Sequence, residues 1–110
     1  MIRNLKELEQ AGKIRRHKTS KKEISDLFML IKRDMKDASA EGISYDRKFA
    51  TLYNAALALA SALLYCKGYQ SYGAAHHFTV FQAMKTILGK EYAELADYFE
   101  QACKLYNQPK

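Results

Sequence analysis

His76 and His77 are candidates for moving a proton, since imidazole changes charge near neutral pH. Adjacent residues on a helix diverge by about 100°. Both rings therefore cannot meet one ligand from a helix. In the bland reading one packs or caps and the other is solvated. In the functional reading one lines a pocket beside Arg47, as general acid/base or nucleotide contact, and Arg47 supplies the positive charge. No Cys, Asp or Glu lies within helical reach of the pair, so no metal centre is read there. No Gly-rich phosphate loop, hydrolytic carboxylate pair or serine nucleophile motif occurs, so no cofactor is implied.

Charge offers a second chemistry. Lys13, Arg15, Arg16, Lys18, Lys21 and Lys22 place six cations in ten residues, with His17 among them and no acid before Glu23. Residues 1–55 hold 13 basic and 8 acidic side chains and residues 56–110 hold 5 and 4, so most of the net +6 arises in the N-terminal half. Such a run is either a solvated turn or a footprint for RNA phosphates or an acidic partner. No aromatic residue is interleaved with it in sequence, which argues against single-strand recognition by stacking.

A third group surrounds one helix start. Asp46 is favoured there by the helix dipole, and Arg47 is not, so Arg47 is expected to pair with the neighbours of Asp46, with Glu41 or with a bound anion. Tyr53 and Asn54 follow on the same helix. An amide buried in an alanine face must find a partner, so Asn54 is expected to reach across the bundle, across a dimer axis, or into the His76 pocket.

These residues need elements to hold them, and the spacing predicts helices. Leu5–Ala11 forms a short helix closed by Gly12, and residues 13–19 form a basic connector. Ser20 and Glu23 make a capping box for a helix whose Ile24, Leu27, Phe28, Ile31 and Met35 share one face, ending near Gly42. Ser44 caps the next helix, closed by Gly68. A further helix runs from about Phe78 to Gly89. The stripe Tyr92, Leu95, Ala96, Phe99, Ala102, Cys103 and Tyr106 predicts a last one, stopped by Pro109. No alternating β-branched run appears, so no sheet is expected.

Phe49–Cys66 carries no charge, and its six alanines allow close backbone approach. It is read as a central helix covered on every side, by its neighbours and by a second copy of the chain. Eighteen residues is short for a membrane span, and Thr51, Tyr53, Asn54 and Ser61 make insertion poor, so no membrane is expected. The N-terminal sequence shows no apolar signal core. Cys66 and Cys103 read as small buried hydrophobes in a reducing cytoplasm, with a Cys66–Cys103 bridge as the alternative. The 110 residues amount to one domain, 1–110, folded as an all-α, antiparallel four-helix bundle with a short extra N-terminal helix.

Several of these segments resemble the HEPN domains, small helical bundles named for higher eukaryotes and prokaryotes nucleotide-binding. The resemblance lies in Asp46-Arg47-x-Phe49-Ala50, in Tyr53-Asn54-Ala55-Ala56-Leu57, in Gly68-Tyr69 and in Gly73-x-x-His76-His77-Phe78, with His17–Ile24 fitting a subgroup. It spans roughly residues 15–105. It implies a homodimer in the cytoplasm, acting on or with RNA or a nucleotide, in a toxin–antitoxin or defence setting where a nucleotidyltransferase-like protein is the cognate partner. Active members are metal-independent ribonucleases carrying an Arg, four to six residues, then a His. None of His17, His76 and His77 has an arginine at that distance, and Lys104–Lys110 reads KLYNQPK. The resemblance thus implies a binding module without catalysis. The alternative is an endoribonuclease whose site is truncated or is assembled from Arg47 with His76 or His77.

Overall fold

The computed structural model describes residues 4–72 and 76–89. Within them the chain is mostly helical, as the spacing predicts: α1 (Leu5–Gln10), α2 (Lys21–Ala38), α3 (Tyr45–Cys66) and α4 (His76–Leu88). Asn4, Ser20 and Ser44 start α1, α2 and α3 by accepting from the N–H groups of Glu7, Glu23 and Arg47. The capping box at α2 is half made. The Glu23 carboxylate turns to His17 and Thr19.

The expectation of no sheet is corrected. Strands β1 (Ile14–Arg16) and β2 (Tyr69–Ser71) pair antiparallel, with Ile14 opposite Ser71, Arg15 opposite Gln70 and Arg16 opposite Tyr69. Three residues are too few for alternation to register in sequence. The ribbon forms because two helices end on glycines with left-handed backbone, Gly12 at φ 75° and Gly68 at φ 84°. Each turns the chain sharply off its helix and sends it alongside the other.

The core joins α1, the ribbon, α3 and α4: Leu8, Ile14, Tyr53, Ala60, Leu64, Tyr69, Val80, Phe81, Ala83 and Met84. Ile14 and Tyr69 thus root the ribbon in the core. No residue of α2 belongs to that cluster. Helix α2 lies along α3 with Ile24, Leu27 and Ile31 half-buried, while Phe28, Met29 and Met35 stay exposed. The single buried face expected for α2 is therefore split.

Helix α3 buries Tyr53, Ala55, Ala58, Ala60, Ala62 and Leu64. Among the described residues it is not covered on every side, since Phe49, Leu52 and Leu59 remain 38–41% exposed. With Ile31 and Met35 they line a groove of about 340 Å³ between α2 and α3. By length and composition α3 could cross a membrane, with a mean hydropathy of 1.5, and 39% of that window is buried. Core helices of water-soluble proteins have the same composition. The stripe from Tyr92 to Tyr106 lies outside the described residues.

Candidate nucleic-acid interface

Strand geometry sorts the basic run onto two faces of the ribbon, because alternate side chains point opposite ways. Ile14 and Arg16 share a face with Tyr69. Lys13 and Arg15 share the other with Gln70 and Tyr72, and the Tyr72 N–H donates to the Lys13 carbonyl at 3.2 Å. On that outer face the Arg15 guanidinium lies 5.0 Å from the centre of the Tyr72 ring. With the Gln70 amide turned so that its oxygen faces Arg15, that oxygen accepts from Arg15 Nε at 2.8 Å and Nη2 at 3.0 Å. On the inner face Arg16 lies 5.0 Å from the Tyr69 ring centre. Glu9 closes this second arrangement, 3.6 Å from Arg16 and accepting from the Tyr69 hydroxyl at 3.1 Å.

Aromatic rings therefore do stand among these charges. The sequence reading missed them because Tyr69 and Tyr72 lie more than fifty residues downstream of the arginines they meet. The signal that could have found them is Gly68, which marks where the chain leaves α3.

The six cations are not equivalent. Lys22 binds Asp26 at 2.8 Å, and this hydrogen bond holds its ammonium above the usual lysine range. Arg16 faces Glu9. Lys13, Arg15, Lys18 and Lys21 are exposed and have no carboxylate partner among the described residues. Their charge is left for solvent or for an anion.

His17 fastens the ribbon to α2 and α3. Its backbone N–H donates to the Gly68 carbonyl at 2.9 Å, and Nε2 meets Glu23 Oε1 at 2.7 Å. Thr19 donates to the same oxygen at 2.7 Å, and the Tyr65 ring lies 4.8 Å from the imidazole. The hydrogen bonds from His17 and Thr19 hold the Glu23 carboxyl below the usual range. Burial, and then the Glu23 charge, push the Tyr65 phenol up.

The other candidates lie at the starts of α3 and α4. Arg47 is exposed in the first turn of α3, and its side chain makes no ion pair with Glu41 or any other carboxylate among the described residues, which of the three expected partners leaves a bound anion. Asp46 is exposed beside it. His76 and His77 open α4, and the His77 ring stands 6.3 Å from that of Tyr53. Tyr53 is 2% exposed and packs edge-on against Phe81 at 5.7 Å.

The expectation of a buried Asn54 is corrected: it is exposed, because it falls on the outward arc of α3 next to the inward Tyr53. Asn54 lines a groove with Asp34 and Ser61, and Tyr53 lines the one with Ile31 and Met35. Cys66 is likewise exposed, at the end of α3, and not the buried hydrophobe expected. Cys103 and Lys104–Lys110 lie outside the described residues. Among the described residues no group of three or more His, Cys, Asp or Glu could hold a metal ion.

No protein-family model, curated protein or solved structure matches this chain.

Proposed function

We propose that this chain is a HEPN-like helical bundle acting as a binding module, which associates with RNA or a related nucleotide polyanion through the basic ribbon and has no catalytic activity of its own. The observation that carries the reading is the uncompensated charge of Lys13, Arg15, Lys18 and Lys21, running from the ribbon into the start of α2. A folded ribbon presents these cations in a set order, and phosphate contacts release counterions. The absence from the sequence of an arginine at the family's distance before any histidine supports the non-catalytic part. We place the module in a toxin–antitoxin or defence setting, as a cytoplasmic homodimer beside a nucleotidyltransferase-like partner, on the resemblance and on the open apolar groove of α2 and α3.

Titration of RNA against the protein over a range of salt tests the reading. Affinity should fall steeply with salt, with a slope of about 0.7 for each single-strand phosphate engaged. Arg15→Glu should weaken binding to all sequences alike and make that slope shallower. Binding that ignores both salt and Arg15→Glu would exclude the ribbon as the contact.

A further inference from the structure

The two faces of the ribbon carry the same pair of residue types in opposite circumstances. On the inner face Tyr69 is 9% exposed, its hydroxyl is bonded to Glu9, and Arg16 shares that carboxylate. Charge and ring are both spent on holding the fold. On the outer face Tyr72 is 39% exposed, and Arg15 has no carboxylate beside it among the described residues.

The outer pair is also held in place. In the amide orientation that satisfies both groups, Gln70 holds Arg15 through two hydrogen bonds. The Tyr72 backbone is tied to Lys13, and its hydroxyl comes within 3.7 Å of where a Cβ on Gly12 would sit. A ring so oriented loses little rotamer freedom when something stacks on it.

Resting on the reading of the ribbon as a nucleic-acid surface, we infer that Tyr72 is a stacking platform for an unpaired base, and that the ribbon takes single-stranded nucleic acid in preference to duplex. Arg15 lies against the ring and adds positive charge beside it, and the exposed part of the ring receives the base. Every base has a π-face, so the platform tolerates any sequence. Lys13, Lys18 and Lys21 take the phosphates on either side. In a duplex the base faces are stacked on each other and cannot reach the ring, so only the phosphate contacts remain.

The test measures binding of the whole chain to labelled oligouridylate, to oligothymidylate and to a duplex of equal length. The two single strands separate RNA from DNA as the source of the shared chemistry, and binding of either supports the platform if it depends on Tyr72. Tyr72→Ala should weaken single-strand binding roughly tenfold, leave duplex binding unchanged and leave the salt slope unchanged. The chain has no tryptophan, so Tyr72→Trp installs a lone indole that keeps the platform, and its emission should be quenched as single strands bind. Equal losses on single strand and duplex, no loss on either, or an unquenched indole in a complex that forms would overturn the platform and leave the ribbon reading standing. Wild-type protein that binds none of the three at low salt would overturn both.

Discussion

Glu23 accepts two short hydrogen bonds on one carboxylate oxygen, and this makes the joint between His17 and α2 sensitive to acid. Its carboxyl is held below the usual range when folded. A depressed folded value contributes stability that is complete above the unfolded value and is lost as pH falls through the folded one. The melting temperature of wild type should therefore exceed that of Glu23→Gln at neutral pH, and the two should converge below the ordinary carboxylate range. Thermal melts across acidic buffers check this, and a gap that persisted in strong acid would remove the carboxylate from the explanation. At the same scale, Arg47, His76 and His77 are expected to do no chemistry. Purified protein incubated with total RNA and chelator should leave it intact, as should His76→Ala/His77→Ala. Cleavage by wild type that disappears in the double variant would establish the ribonuclease instead.

Elements depend on their ends more than on their middles here. Ser20 caps α2, and Ser20→Ala should cost about 1 kcal/mol in chemical denaturation. Gly68 both closes α3 and offers its carbonyl to His17, at a backbone angle that a side chain disfavours. Gly68→Ala should cost roughly 1–2 kcal/mol. It should also weaken nucleic-acid binding beyond that of the cap variant, because the ribbon is displaced with it. Equal binding by the two variants would show that the ribbon's placement is indifferent to this turn. Phe81 is fully buried in α4 with its ring against Tyr53, and Phe81→Ala should cost about 3–5 kcal/mol.

For the whole molecule the open question of surface is the groove between α2 and α3. Phe49, Leu52 and Leu59 on one wall and Met35 on the other expose apolar area that water disfavours. In the proposed homodimer a second copy covers it. Light scattering at high micromolar concentration should give twice the chain mass for wild type and the chain mass for Leu52→Glu. Leu52 is 41% exposed, so a charge there is tolerated by the monomer and rejected by an apolar interface. A wild-type monomer would leave the groove to another occupant.

Local chemistry was legible in the residues themselves. Ser20 and Ser44 as caps, Gly12 and Gly68 as stops, and the helical periods of α2, α3 and α4 all depend on neighbours within one or two turns. What depends on distant neighbours was not. The same period that made α2 a helix could not say that Phe28 and Met35 would stay outside, because burial is decided by what packs opposite. Asn54 and Tyr53 differ by one residue, and the packing of the neighbouring helices, Phe81 of α4 among them, buries Tyr53 and leaves Asn54 out. The basic run read as a bare connector. It became a strand only because Gly68 brings Tyr69–Ser71 alongside, where unpaired backbone groups at 14–16 find partners. That pairing also set two tyrosines against two arginines, neutralised one pair with Glu9 and left the other open. The positive charge was in the sequence; the aromatic surface beside it exists only after the chain has folded back on itself.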